Sequence, residues 1–238
     1  MTPEVVVGDT ASLARLFAAR FADLARSAVA ARGRFAWALP GGSVAEAFFP
    51  ALTSTALDWN HVEVFWGDER AVGPDDPDSN YGLARRLLLE PVGVPAARVH
   101  RMPGEMTDLD AAAARYEEEM VRVLGDPPRL DLVVLGVGPE GHVCSLFPGH
   151  PLLRERRRKV AAIVDSPKPP PRRLTFTPPV LESARRICVA AFGASKAEAV
   201  RAAVEDPGSS LPVALALHAG DGPGLVLVDP AAAGKLSS

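Results

Sequence analysis

The feature that most limits what this chain can fold into is the alternation of short apolar segments with longer helical patterns. Strands are predicted over Val5–Val7, Phe35–Leu39, Val62–Trp66, Leu130–Leu135, Val160–Val164, Arg186–Phe192 and Leu225–Val228. Helices are predicted over Ala11–Arg32, Ser43–Leu52, Ser79–Leu89, Ala111–Leu124 and Ser195–Val204. Because strands that alternate with helices form βαβ units, we expect a single α/β domain over residues 1–238, with a mainly parallel sheet flanked by helices.

The charge balance argues against a nucleic-acid partner. The chain has 26 Lys and Arg residues against 29 Asp and Glu residues, a net charge of −3, so it lacks a global basic surface. The basic run from Arg154 to Lys159 is typical of a solvated loop or helix face. A hydrophobic content of 47% also excludes a disordered chain.

Cysteine usage and hydropathy bear on where the protein works. The two cysteines, Cys144 and Cys188, are too few for a disulfide scaffold, and no histidines have zinc-site spacing. The N-terminus lacks the basic and apolar regions of a signal peptide. No apolar stretch approaches the ~18–20 residues that span a bilayer. We therefore expect a cytoplasmic protein with no metal and no membrane partner.

Three loops are expected at the carboxyl ends of strands, where open parallel sheets bind ligands. They are Pro40–Ser43, Gly67–Arg70 and Gly136–His142. The first joins a strand to a helix through two glycines, which suits a phosphate at the helix N-terminus, although a tight turn capped by Ser43 also explains it. The second places two carboxylates beside Arg70, which fits either a substrate-binding cluster or a surface salt-bridge turn.

The third loop contains a G-x-G-x-x-G pattern followed directly by His142. A dinucleotide fingerprint should open a long helix, but Pro148 interrupts this segment, so we do not expect NAD binding. An imidazole at this position suits a general base, because its pKa is normally about 6.5. Cys144 is interpreted as a small buried residue rather than a nucleophile. Lys196, in the first turn of a predicted helix, is either solvated or present to bind an anion.

Taken together, these segments resemble the family shared by 6-phosphogluconolactonases and glucosamine-6-phosphate deaminases. The most specific matches are W-G-D-E-R at Trp66–Arg70, S-N-Y-G at Ser79–Gly82 and G-H-x-x-S-L-F-P-G at Gly141–Gly149. P-G-G-S, P-K-P-P and the segment Gly193–Ala197 follow the family's order as well, so the resemblance covers nearly the whole chain. It implies the glucosamine-6-phosphate deaminase or ribose-5-phosphate isomerase-like fold. Glu140 stands where the family more often has Asp.

The resemblance also implies an activity, namely hydrolysis of 6-phospho-D-glucono-1,5-lactone to 6-phospho-D-gluconate in the oxidative pentose phosphate pathway. No cofactor is expected, and the expected partner is the sugar-phosphate lactone, bound by a monomer or weak dimer. Position by position, the resemblance gives His142 as general base and Asp68 and Arg70 as further catalytic residues. It gives as substrate and phosphate contacts Gly41, Gly42, Ser43, Arg70, Asn80, Arg173 and Lys196.

Two other functions share parts of this pattern. An amino-sugar phosphate deaminase or isomerase on the same fold would add a carboxylate shortly after the G-H pair, whereas Val143–His150 contains no Asp or Glu. A non-catalytic sugar-phosphate sensor would keep the phosphate loop but would not need His142. Such a sensor would usually carry a DNA-binding or partner module, for which the predicted elements leave no residues.

Overall fold

The computed structural model describes residues 2–237 and is built around a parallel sheet. The strands of this sheet are β1 (Glu4–Val7), β2 (Phe35–Leu39), β3 (Val62–Trp66), β5 (Leu132–Gly136), β8 (Ile187–Ala191) and β9 (Leu225–Val228). Their order across the sheet is β1-β9-β8-β5-β2-β3, with every pair parallel. The predicted α/β class with a mainly parallel sheet is confirmed.

Burial explains why these segments form strands. Every residue of β2, β3 and β8 is buried, as expected for a parallel sheet with both faces covered, where strands read as continuous apolar runs. The observed bounds of β2, β3 and β9 are those predicted from the sequence. The exception to the apolar pattern is Glu63 in β3, whose buried carboxylate pairs with Arg98 and lies 2.9 Å from Nε2 of His100.

Helices flank the sheet. They are α1 (Thr10–Arg32), α2 (Gly42–Leu52), α3 (Asn80–Ala84), α4 (Glu90–Val92), α5 (Leu109–Leu124), α6 (Pro178–Ser183), α7 (Ala197–Glu205) and α8 (Pro212–Leu217). A π-helical turn over Arg85–Leu89 joins α3 to α4. The helix predicted to begin after Ser79 is therefore present, and the Ser79 hydroxyl caps it by accepting the N–H of Gly82.

Helix α1 packs on the sheet and on α2 through aromatic side chains. Phe21 of α1 meets Trp37 of β2 edge to face, with ring centroids 4.5 Å apart. Phe17 stacks on Phe48 of α2 at the same centroid distance, 4.5 Å. Such pairs contribute about 0.5–1.5 kcal/mol each beyond the burial of their area. Together they fix α2 against the sheet, and with it the turn that enters α2 from β2.

A second, antiparallel sheet of three strands continues from the carboxyl end of β3. Its strands are β4 (Asp68–Arg70), β6 (Val160–Ile163) and β7 (Arg173–Phe176), in the order β4-β7-β6. The sequence predicted 67–70 as a loop, because a short charged segment carries no strand periodicity, and it did not predict β7. Pairing with β7 therefore gives the Asp68–Arg70 segment a fixed backbone. Among residues 2–237, no helix combines the length and apolar character needed to cross a bilayer.

Candidate active site

An open cleft lies where β2, β3, β5 and β8 end, at the edge of the sheet where the sequence predicts a site. Its volume is about 190 Å³. The structure brings every predicted site residue to its walls: Gly41, Gly42, Ser43, Asp68, Arg70, Asn80, His142, Arg173 and Lys196. The topology explains this meeting, because the carboxyl ends of parallel strands share one edge of a sheet.

The first wall of the cleft is the turn from β2 into α2. Helix α2 begins at Gly42 with Gly41 as its N-cap and with no side-chain cap, so the predicted capping role of Ser43 is wrong. Ser43 lies in the first helical turn and is exposed. Unpaired backbone N–H groups and the positive end of the helix dipole meet there, which favours an anion. Gly41 has no room for a side chain, since a Cβ would lie 2.2 Å from Oδ1 of Asn80.

The carboxylate of Asp68 is held by hydrogen bonds from two other segments of the chain. The Ser145 hydroxyl donates to its Oδ2 at 2.7 Å, and Nδ2 of Asn80 donates to its Oδ1 at 3.2 Å and to its backbone oxygen at 3.0 Å. A terminal nitrogen of Arg173 lies 3.8 Å from Oδ2. The carboxylate is therefore fixed in the cleft, with its charge partly balanced by a buried guanidinium.

Glu69, the next residue along β4, points away from the cleft and anchors the segment that carries Asn80. Its carboxylate accepts the backbone N–H groups of Asn80 at 2.8 Å and Tyr81 at 2.7 Å, and the Ser79 hydroxyl at 3.1 Å. Burial raises the pKa of Glu69, against the lowering effect of these bonds. Sequence reasoning gave Glu69 no role, because only the fold shows that it ties two motifs of the site together.

Arg70 retains hydrogen-bonding capacity inside the cleft. One terminal nitrogen donates to the backbone oxygen of Asp78 at 2.5 Å. Its buried Nε has no hydrogen-bond partner among residues 2–237. A guanidinium presents five donors in a planar fork, so Arg70 can hold its loop and still receive an anionic oxygen.

His142 is paired with Glu140 across the tight turn that follows β5. Its Nδ1 lies 3.0 Å from Oε1 of Glu140, and its ring packs on Phe147 with centroids 4.7 Å apart. Gly138 donates its N–H to the backbone oxygen of His142, and a Cβ there would lie 1.9 Å from Nδ1. The glycine pattern therefore makes room for the imidazole, and no helix follows it before a 3₁₀ turn at Pro151–Arg154.

Burial and the neighbouring charges set the protonation states of Glu140 and His142. Burial would raise the pKa of Glu140, but its own backbone N–H, the ammonium of Lys168 at 2.9 Å and His142 together lower it to about 2. Burial lowers the pKa of His142, while Glu140 opposes that effect. At neutral pH the carboxylate is therefore ionised and the imidazole is neutral. The carboxylate accepts Nδ1–H, which leaves the lone pair on Nε2.

Arg173 is buried and donates mainly to the protein backbone. Its guanidinium donates to the carbonyl oxygens of Lys168 at 3.1 Å, Pro169 at 3.0 Å and Pro170 at 3.0 Å. Burial lowers its pKa, and nearby Asp68 opposes this. The geometry favours a role for Arg173 in holding the proline-rich loop, Ser166–Pro171. Direct contact between Arg173 and the substrate stays a prediction.

Lys168 is the cleft residue that sequence reasoning missed. It sits in the proline-rich loop Ser166–Pro171, and its ammonium pairs with Glu140. The P-K-P-P pattern contained a signal for it, because a lysine between prolines has a fixed backbone. Lys196 lies on a 3₁₀ turn just before α7, and burial and the charge of Lys168 both lower its pKa. Two lysine ammonium groups therefore line the cleft in addition to Arg70 and Arg173.

Cys144 also lines the cleft, where it is half-buried. Burial raises the pKa of Cys144 well above its ordinary value, and the Asp68 carboxylate adds to this effect. A thiol held in its protonated form is a poor nucleophile. The structure therefore favours the interpretation that Cys144 is not a nucleophile, but the residue is half-buried at the cleft wall rather than fully buried as predicted. Within residues 2–237, no group of three or more His, Cys, Asp or Glu side chains is arranged to hold a metal ion.

Comparison with known proteins identifies the family. Residues 8–223 match the family model described as glucosamine-6-phosphate isomerases/6-phosphogluconolactonase. The 6-phosphogluconolactonase of Mycobacterium tuberculosis is 44% identical over 223 residues, covering 89% of each chain.

Solved structures agree with this match. The Trypanosoma brucei 6-phosphogluconolactonase superposes with a TM-score of 0.86 at 26% identity, over 99% of both chains. A monomeric glucosamine-6-phosphate deaminase superposes with a TM-score of 0.82 at 25% identity, over 98% of this chain and 99% of that one. The predicted fold and the predicted family are confirmed. The chain belongs to the family of glucosamine-6-phosphate isomerases and 6-phosphogluconolactonases.

Proposed function

We propose that this protein hydrolyses 6-phospho-D-glucono-1,5-lactone to 6-phospho-D-gluconate, with His142 as the general base. The observation that carries the proposal is the pairing of His142 Nδ1 with an ionised Glu140 at 3.0 Å, at the carboxyl edge of the sheet. This pairing directs the basic lone pair to Nε2. A neutral imidazole in a cleft with Arg70 and Asp68 has the groups that opening an ester ring by water requires.

The reaction follows from this geometry. Nε2 of His142 accepts a proton from water as the water oxygen attacks the lactone carbonyl. Glu140 stabilises the imidazolium that results, since a carboxylate beside a cation lowers its energy. When the bond between the carbonyl carbon and the ring oxygen breaks, Nε2 returns the proton to that oxygen. The products are a carboxylic acid, which ionises at neutral pH, and a free hydroxyl.

Arg70 is suited to the negative charge that develops on the carbonyl oxygen. Its side chain lines the cleft and its backbone is fixed by the pairing of β4 with β7. A preorganised donor aimed at an oxyanion contributes roughly 2.7–4 kcal/mol to lowering a barrier of this type. Asp68, held by Ser145 and Asn80, is suited to accept hydrogen bonds from sugar hydroxyls and to balance part of the positive charge of Arg70 and Arg173.

The phosphate of the substrate is assigned to the corner formed by the start of α2 and by Lys196. Gly41, Gly42 and Ser43 supply backbone N–H groups and a hydroxyl at the positive end of a helix. Lys196 supplies a cation that lines the cleft and forms no salt bridge within residues 2–237. Binding at this remote group positions the lactone carbonyl near His142.

One experiment separates this activity from the alternative within the family. Turnover of the phosphorylated lactone is measured beside ammonia release from glucosamine 6-phosphate. The proposal predicts lactone hydrolysis well above the spontaneous rate and no ammonia release. Ammonia release without lactone hydrolysis would favour a deaminase, and sugar-phosphate binding with neither reaction would favour a sensor.

We also propose that the whole chain is one domain and works as a monomer or weak dimer in the cytoplasm. Among the described residues, the large hydrophobic side chains that are exposed are Val7, Val164 and Leu215, too few for an obligate interface. Both cysteines are free, which suits a reducing compartment. Sedimentation equilibrium tests the oligomeric state, and cell fractionation tests the location.

A further inference from the structure

Lys168 and His142 share one carboxylate. Oε2 of Glu140 lies 2.9 Å from Nζ of Lys168, and Oε1 lies 3.0 Å from Nδ1 of His142. The two residues come from different parts of the chain, because Lys168 belongs to the proline-rich loop and His142 to the turn after β5. If the ammonium moves away, Glu140 stays ionised but its charge is no longer partly balanced by Lys168, so the imidazole of His142 lies beside a more negative group.

The backbone at Lys168 is fixed, but its side chain is not enclosed. Arg173 donates to the carbonyl oxygens of Lys168, Pro169 and Pro170. The hydroxyl of Ser166 also donates to the Lys168 oxygen at 2.9 Å, and the Lys168 N–H donates back at 3.2 Å. The Lys168 side chain is 38% exposed, so its unbranched stem can change partner without moving the loop.

A competing partner for this ammonium is expected in the same cleft. Lys168 and Lys196 both line the cleft, and the charge of Lys168 lowers the pKa of Lys196 in addition to the effect of burial. Two cations that repel each other are stabilised by an anion that contacts both. A sugar phosphate carries up to two negative charges, whereas Glu140 carries one. The phosphate is therefore a strong competitor for Lys168.

We infer that Lys168 is a positioning residue that couples phosphate binding to the basicity of His142. In the free protein its ammonium pairs with Glu140; when a phosphorylated sugar enters the cleft, the ammonium moves to the phosphate and leaves Glu140 to His142 alone. This inference rests on the proposed function, because it assigns the occupant of the cleft as a sugar phosphate.

The direction of the effect follows from the charges that face His142. Glu140 lies on its own turn, Asp68 on β4 and Lys168 on the proline-rich loop. The two carboxylates raise the pKa of the imidazole, and the Lys168 ammonium lowers it. Departure of the ammonium toward the phosphate therefore makes His142 a stronger base when the correct substrate is bound.

The test compares wild type with Lys168→Met by NMR titration of the His142 imidazole, first in the free protein and then saturated with 6-phosphogluconate. In the free protein, K168M should raise the pKa of His142 by about 0.5–1, because a nearby cation is lost. With 6-phosphogluconate bound, the difference between the two proteins should shrink to less than half. The KM for the phosphorylated lactone should rise about 10-fold in K168M, as expected for one lost charge-assisted bond.

Two matched variants serve as controls. Lys168→Arg keeps the cation, so the His142 imidazole of this variant should have the wild-type pKa in the free protein. Lys235→Met removes a lysine that pairs with Glu198 at a similar distance, 2.8 Å, outside the cleft, and should leave the pKa of His142 unchanged.

The outcomes separate this inference from the proposed function. The coupling would be overturned if the pKa of His142 differed between wild type and K168M by the same amount with and without 6-phosphogluconate. It would also be overturned if the two free proteins had the same His142 pKa. Absence of lactone turnover by the wild type would contradict the proposed function, and the premise of the coupling with it. Turnover by the wild type together with a ligand-independent difference would contradict the coupling alone.

Discussion

Oε1 of Glu140 lies 3.0 Å from Nδ1 of His142, two residues away on the same turn. This relationship makes the two side chains one unit, because an ionised carboxylate on Nδ1 fixes the tautomer and stabilises the imidazolium. The longer Glu side chain also reaches Lys168 with its second oxygen. Glu140 therefore places its carboxylate between two partners, an imidazole and an ammonium.

Glu140→Gln is expected to lower kcat by about 10- to 100-fold, less than loss of the base itself. The amide oxygen can still accept Nδ1–H, but no charge then balances the imidazolium. Because Glu140 raises the pKa of His142, its removal should also move the acid limb of kcat/KM to lower pH. The measurement is the pH dependence of lactone hydrolysis.

Glu155→Gln is a matched control for this change. Glu155 also has a pKa of about 2, but it accepts the N–H groups of residues 156–158 rather than facing the cleft. E155Q should keep the wild-type kcat and the wild-type acid limb. If E140Q also kept both, the carboxylate would have no part in the reaction.

Cys144→Ala should retain most activity. The pKa of the thiol is raised well above the ordinary range, and the proposed mechanism gives it no task. Thiol alkylation should inhibit only by filling the cleft that Cys144 lines. Steady-state kinetics of C144A, with circular dichroism to show that it folds, check the expectation. A folded but inactive C144A would require a role for the thiol.

Lys196→Ala should lower kcat/KM for the phosphorylated lactone by roughly 10- to 150-fold, the equivalent of one charge-assisted hydrogen bond. The same change should matter little with unphosphorylated glucono-1,5-lactone, because the partner charge is absent. The measurement is a two-by-two comparison of wild type and K196A with both lactones. Equal fractional losses on both substrates would show that Lys196 does not recognise the phosphate.

Gly41→Ala tests the close contact between the turn into α2 and Asn80. The added Cβ would lie 2.2 Å from Oδ1 of Asn80, so the amide must move and lose its bonds to Asp68. We expect a loss of about 10-fold or more in kcat/KM from this misplacement. Gly73→Ala is a useful comparison for activity, since Gly73 has no neighbour within 4 Å of an added Cβ and lies outside the cleft. Wild-type kinetics for G41A would show that Asn80 has no part in positioning.

The sequence predicted the framework well because its signals are local. The apolar runs of β2, β3 and β9 fix their own bounds, and the motifs that follow strands meet because strand ends share one edge. The antiparallel sheet was not predicted, since β4 is three residues long and pairs with β7, a partner far away in sequence. For a similar reason, the carboxylate shared by Lys168 and His142 depends on a contact between distant segments that no spacing encodes.

The most direct test of the account is the kcat of a folded His142→Ala variant with 6-phospho-D-glucono-1,5-lactone. This lactone also opens in plain buffer, so each rate is measured above that background, and thermal unfolding of both proteins confirms that the variant folds. The proposed mechanism predicts a loss in kcat of about 10²–10⁴, the usual contribution of a positioned acid–base group. A folded H142A protein with a kcat close to that of the wild type would contradict it.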